Sequence, residues 1–158
     1  PGTFVGPVAV LRADEADVDG MVHPILIGPD SNVQDGVIVH ALKGTCVVVG
    51  RASSLSHGAI VHGPAQIGTG CFIGFRAVVF NAVLGNGVYV GSSAVVQNVQ
   101  LAADTLVPPG HVVLTQDQAD ALGKTGAQER LFMQGVVTAN AGLTTGYKQP
   151  DLERKRWK

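Results

Sequence analysis

The chain has 158 residues, of which 46% are hydrophobic and 15% charged, and its formal net charge is −1. That length accommodates one domain with a continuous core, and the absence of a basic stripe to neutralise phosphates excludes a nucleic-acid partner. No apolar stretch is long enough to span a bilayer, which excludes membrane insertion by a helix.

The opening Pro1-Gly2-Thr3-Phe4-Val5-Gly6 lacks the charged start and apolar middle of a signal peptide, so a cytoplasmic location is expected. The chain begins without Met, as a processed or truncated start would. An aliphatic residue then recurs every six positions, often followed by one of the 21 glycines. Ile27-Gly28, Val33 and Val39 come first. Val49-Gly50, Leu55, Val61, Ile67-Gly68, Ile73-Gly74 and Val79 follow, and then Leu84-Gly85, Val90-Gly91 and Val96. This period matches neither a helix nor plain strand alternation. It matches a short strand plus a corner, three of which close one triangular coil with the aliphatic residues stacked inward. Coils pair edge to edge at about 4.8 Å, and none buries its core without neighbours. The expected fold is all-β, a parallel β-helix over residues 1–112.

Two loops interrupt the repeat. Between Leu11 and Ile27 ten extra residues include Asp14, Glu15, Asp17, Asp19 and His23, and between Val39 and Val49 four extra residues lie near Lys43-Gly44-Thr45-Cys46. Loops that leave a rigid scaffold commonly carry function. Cys46 and Cys71 match no CxxC pattern and read as buried free thiols. After Pro108-Pro109-Gly110 the repeat fades. Residues 113–150 read as a helical segment packed outside the β-helix, with a short turn over 117–122 and a helix over about 128–141. In that helix Leu131, Phe132, Val136 and Val137 are apolar and Gly135 is a weak point. Residues 151–158 form a charged tail, read as solvated.

Register singles out three of the five histidines. His40 follows Val39 and His62 follows Val61, so each sits one place after an inward aliphatic residue. Val39 and Val61 are separated by one coil plus the four-residue insertion, which places His40 and His62 side by side on one face, one strand spacing apart. Two such imidazoles converge on one ion. His57 follows Leu55 by two places and lies on the preceding face, so only a neighbouring copy would deliver it to the same ion. Three histidines with an open fourth position form a catalytic zinc pattern.

Three stretches carry a family resemblance: Arg12-Ala13-Asp14-Glu15, then Ser31-Asn32-Val33-Gln34-Asp35-Gly36-Val37-Ile38-Val39-His40, then Ser54-Leu55-Ser56-His57-Gly58-Ala59-Ile60-Val61-His62-Gly63-Pro64. The likeness continues through Phe72-Ile73-Gly74-Phe75-Arg76 and Val79-Phe80-Asn81-Ala82 and covers most of the chain. The pattern resembles the γ-class carbonic anhydrases, including the carbonic-anhydrase-like domain of carboxysomes. The resemblance implies a left-handed β-helix with a C-terminal helix alongside. It implies a homotrimer with Zn²⁺, or Fe²⁺ or Co²⁺, held by His40, His57 and His62 across an interface. It also implies reversible hydration of CO₂ to bicarbonate, a lyase reaction in which hydroxide on the metal attacks CO₂, because the metal lowers the pKa of water from 15.7 to about 7. By the same resemblance Gln34 orients the bound water, Arg12 is a structural arginine able to pair with Asp35, and Asn140 is the active-site asparagine near the C-terminal helix.

Where this family has a glutamate three residues after the first metal histidine, this chain has Lys43, and Thr138 replaces an aromatic residue two places before Asn140. Export of the released proton needs a carboxylate or histidine of suitable pKa. Glu15 is the candidate shuttle and His23 a weaker one. These departures bring in a second reading, a weak or inactive carbonic-anhydrase-like scaffold or assembly trimer in a carboxysomal or organellar setting. A third reading, a hexapeptide acyltransferase or thioesterase, needs one histidine as base and leaves the His40–His62 column without a purpose.

Overall fold

A computed structural model describes residues 2–146; Pro1, Tyr147 and the remainder of the expected 113–150 segment, and the charged tail 151–158 lie outside the described residues. The six-residue period becomes fifteen short strands on three faces. The first face stacks β1 (Phe4–Val5), β4 (Asn32–Val33), β7 (Ser54–Leu55), β9 (Phe72–Ile73), β11 (Tyr89–Val90) and β14 (Leu106–Val107) in that order. The second stacks β2 (Val10–Arg12), β5 (Ile38–His40), the start of β8 (Ile60–Ile67), the start of β10 (Val78–Leu84), β12 (Val95–Gln97) and β15 (Val112–Val113). The third holds β3 (Ile25–Ile27), β6 (Val47–Val49), the ends of β8 and β10, and β13 (Gln100–Leu101). All these pairings are parallel, as expected of a left-handed β-helix of the hexapeptide-repeat kind.

Each face sends one column of side chains inward. Val33, Leu55, Ile73, Val90 and Val107 form one column, and Val39, Val61, Val79, Val96 and Val113 another, all essentially inaccessible to water. Val49, Ile67, Leu84 and Leu101 complete the triangle. At about 25 cal/mol per Å² of apolar surface buried, this continuous core is the main source of stability. Glycine at the corners has a steric cause: a Cβ on Gly50 would lie 2.6 Å from the Gly68 carbonyl carbon. A hydroxyl closes the same corners, with Ser31 Oγ donating to Gly50 O at 2.9 Å and Ser53 Oγ to Gly68 O at 2.8 Å.

The coil length is not constant. Ser54 and Phe72 are register partners eighteen residues apart, whereas Phe72 to Tyr89 and Tyr89 to Leu106 take seventeen. The residue is lost at the corners of Asn81 and Asn98, which turn in the left-handed region at φ of 48° and 59°. Asparagine tolerates that conformation, and Asn81 Nδ2 donates to Asn98 Oδ1 at 2.8 Å.

The short turn expected over 117–122 is a helix shifted slightly toward the N-terminus, α1 (Gln116–Asp120), capped by Thr115 and Gln118 in a reciprocal box. The helix expected over 128–141 is longer: α2 spans Ala127–Gly146 and runs through Gly135 and Gly142. Tertiary contact outweighs their poor propensity. Met133 is buried, and the Phe132 ring meets Phe72 of the first face at 5.2 Å.

Candidate metal centre

The strand register delivers the paired histidines as expected: β5 lies beside β8 with His40 opposite His62. His40 Nδ1 is 2.9 Å from His62 Nε2, and the rings meet edge-on with centroids 4.6 Å apart. His62 Nδ1 lies 3.0 Å from the Gly63 carbonyl. A carbonyl only accepts, so His62 Nδ1 carries the hydrogen and Nε2 presents a lone pair in the neutral ring. A backbone carbonyl that sets the tautomer is a common support of a metal-ligating histidine. His40 Nε2 is buried with no hydrogen-bond partner. Glu15 Oε1 lies 3.1 Å from it, at ion-pair distance but outside hydrogen-bonding geometry. A buried imidazole nitrogen without a hydrogen-bond partner, 3.1 Å from a carboxylate oxygen, is a donor set that suits a divalent metal.

Arg12 stands in the same column, opposite His40. Its expected partner was Asp35; instead Nε donates to Asp14 Oδ1 at 2.7 Å and Nη2 to Glu15. Asp35 is on another corner, across from His57, and the acidic loop that follows β2 turns back onto Arg12 instead. Glu15 also accepts from the Lys43 backbone N–H at 3.1 Å. That bond, followed by the neighbouring His40 and Arg12 charges, holds the Glu15 carboxyl below its ordinary value. Hydrogen bonding by Arg12 lowers Asp14 in the same way. Asp14, Glu15 and His40 form a set of possible cation ligands. His23 is committed elsewhere: Nε2 is 2.8 Å from Asp17 Oδ2, and Asp17 Oδ1 accepts from the backbone of Asp19 and Met21.

His57 leaves the first face just after β7 and does not join the pair; among the described residues no group of three ligands contains all three histidines. It lies in a groove of about 450 Å³ between that face and α2, shared with Gln34, Asp35 and Asn140. Its ring stacks on Phe75 at 5.7 Å, and Nδ1 is 3.5 Å from Asp35 Oδ2. Gln34 is almost wholly buried, and its Nε2 donates to Asn32 Oδ1 at 2.9 Å; Asn32 Nδ2 donates in turn to Ser54 Oγ at 2.8 Å. This relay fixes the Gln34 amide through one of its two hydrogens and leaves Oε1 and the second N–H for the groove. Asn140 Nδ2 donates to Val136 O at 2.9 Å within α2, and Thr138 Oγ1 to Gln134 O at 2.9 Å.

The expected site residues therefore fall into two groups. Arg12, Glu15, His40 and His62 share one edge, while Gln34, Asp35, His57 and Asn140 share the groove. Sequence reasoning missed Asn32, Ser56 and the aromatic wall of Phe72, Phe75 and Phe132. Asn32 had a signal in its alternation with Gln34 across Val33; the aromatic wall had none, because it joins residues distant in sequence.

No protein-family model matches the chain. It is 38% identical over 154 residues to the carboxysome assembly protein CcmM of Nostoc sp., covering 91% of this chain and 27% of that protein. It is 34% identical over 167 residues to a carbonic anhydrase of Methanosarcina thermophila, covering 92% of this chain and 65% of that protein. The chain thus spans about a quarter of the carboxysome relative and just under two thirds of the anhydrase. A hexapeptide transferase family protein from Anaplasma phagocytophilum aligns over 90% of this chain and 96% of its own at 19% identity and a TM-score of 0.44.

Proposed function

We propose that this chain, a member of the γ-class carbonic anhydrase family together with the carboxysomal carbonic-anhydrase-like domains, hydrates CO₂ reversibly at a metal site completed by a second copy of itself. The observation that carries the reading is the division of the ligands: His40 and His62 pair on one edge, and His57 faces a separate groove. A three-fold arrangement brings the groove of one copy against the histidine edge of the next. His40, His62 and the partner copy's equivalent of His57 would hold Zn²⁺, Fe²⁺ or Co²⁺. When bound, such a cation acidifies water and so supplies the nucleophile for CO₂.

The chain's own residues supply the rest. The Gly63 carbonyl favours the hydrogen on His62 Nδ1 and so offers Nε2 for ligation. Asp35 faces His57 Nδ1 and favours a hydrogen there, leaving His57 Nε2 as the ligating atom. Gln34 Oε1, held by Asn32, would accept a hydrogen bond from a hydroxyl in the site and so orient it. Phe72, Phe75 and Phe132 line an apolar approach suited to CO₂.

A second reading, a trimeric scaffold with weak hydration, is favoured by Glu15. A shuttle works best with a pKa near the working pH, and Glu15 is shifted the other way by Lys43 N–H, His40 and Arg12. The test of the principal reading is complementation. His40→Ala and His57→Ala chains, each inactive alone, are unfolded together and reassembled. If adjacent copies share each site, random mixing restores about a quarter of wild-type hydration. No recovery in mixed trimers would overturn the shared site, and metal-replete wild type without hydration would leave the scaffold.

A further inference from the structure

One position in the first-face corner breaks the steric rule of the repeat. Gly6, Gln34, Ser56, Gly74 and Gly91 occupy one ladder column, each N–H donating to the carbonyl of the next coil's inward residue. A Cβ on Gly74 would stand 2.7 Å from the Gly91 carbonyl carbon, and one on Gly6 would stand 2.8 Å from Asp35 N. Glycine suits the close approach in this column, whose last member is Pro108, and its other two side chains, Gln34 and Ser56, line the groove with His57. Local rules broken at one place point to a site.

Ser56 is 0% exposed, and its Oγ is one of two buried side-chain polar atoms without a hydrogen-bond partner among the described residues. Its backbone is fully used: N–H donates to Ile73 O, and its carbonyl accepts from Ala59 N, both at 2.9 Å. A buried hydroxyl with no partner is unfavourable, and this one lines the groove that holds His57, Gln34 and Asn140. Gln34 and Asn140 each give one of their two amide hydrogens to Asn32 and Val136. The Ser56 hydroxyl is therefore the side-chain donor of the groove that has no partner at all, beside the one N–H left on each amide, while Gln34 Oε1 and Asn140 Oδ1 are acceptors. An anion with one hydroxyl needs both kinds of group.

We propose that Ser56 is a substrate-binding residue that donates a hydrogen bond to an anionic oxygen of bicarbonate, whose own hydroxyl is accepted by Gln34 Oε1. This rests on the carbonic anhydrase reading and adds a hydroxyl donor beside the Gln34 relay.

The experiment compares the metal-loaded wild type with Ser56→Ala and Ser56→Cys, reading bicarbonate affinity by ¹³C NMR titration and by the bicarbonate-induced shift in melting temperature. Ser56→Ala is expected to bind bicarbonate about tenfold more weakly, with unchanged metal content and a melting temperature without bicarbonate equal to or above wild type. Ser56→Cys, keeping a weak donor of similar size, should fall between, and it provides the reading if the alanine variant fails to fold. Equal affinity in wild type and both variants overturns the proposal while leaving the carbonic anhydrase reading intact. A metal-loaded wild type that binds no bicarbonate overturns both.

Discussion

The His40–His62 edge and the His57 groove are held by different means. The edge is built from backbone register: once Val39 stacks on Val61, His40 must lie beside His62. The groove is built from packing and side-chain hydrogen bonds, namely α2 against the first face, the Phe72–Phe132 contact and the relay from Ser54 through Asn32 to Gln34. The edge should tolerate side-chain changes in its surroundings and fail only when a ligand is removed. The groove should be sensitive to the residues that support it.

The sharpest way to break that contrast is at a ligand. His62→Ala should lower metal affinity by about a hundredfold or more, since losing an outer partner alone costs ten- to a hundredfold; metal analysis after dialysis and retained circular dichroism check this. Next in size is Phe72→Ala. Phe72 is buried and stacks on Tyr89 at 4.9 Å, so its loss should destabilise by about 3–5 kcal/mol and open the groove. Denaturant unfolding measures the first effect, and loss of bicarbonate binding the second. If the groove is unaffected, its dependence on packing is wrong.

Asn32→Ala should reduce hydration about tenfold, without changing metal content, by freeing the Gln34 amide to turn. Steady-state rates with matched metal analysis test it, and lost metal would instead make Asn32 a support of the ligands. Glu15→Ala should lower turnover about threefold in poor buffer if Glu15 carries protons; recovery with added imidazole would assign it that role, and a rate unchanged in both buffers would favour the scaffold.

The smallest effect concerns the acidic loop. The His23 hydrogen bond and then the Met21 backbone N–H lower Asp17 from its ordinary 3.8. A depressed carboxyl stabilises the fold fully above its unfolded value and ceases to as pH falls through the lower folded value. The Asp17–His23 clasp should therefore stay closed above about pH 4 and open below it, while the edge register persists. The Met21 amide resonance, followed through an acid titration, reports the opening.

The periodicity of Val39, Val49, Leu55 and Val61 was enough to determine the coil, its inward columns and the His40–His62 pairing. In a parallel stack the spacing of inward residues dictates which neighbours share a face, and an error of one residue would turn the core outward. It was also enough to exclude His57 from the pair. It did not reveal the seventeen-residue coils, because the left-handed corners of Asn81 and Asn98 absorb the change locally. Nor did it reveal the length of α2, whose glycines are outweighed by contact with the first face. Only the tertiary structure decided that Arg12 meets Asp14 and Glu15 instead of Asp35, that Gln34 presents its oxygen, and that Ser56 is buried without a partner. Those outcomes depend on how loop side chains turn onto near neighbours and on which buried atoms the packing leaves unpaired, and no repeat dictates either.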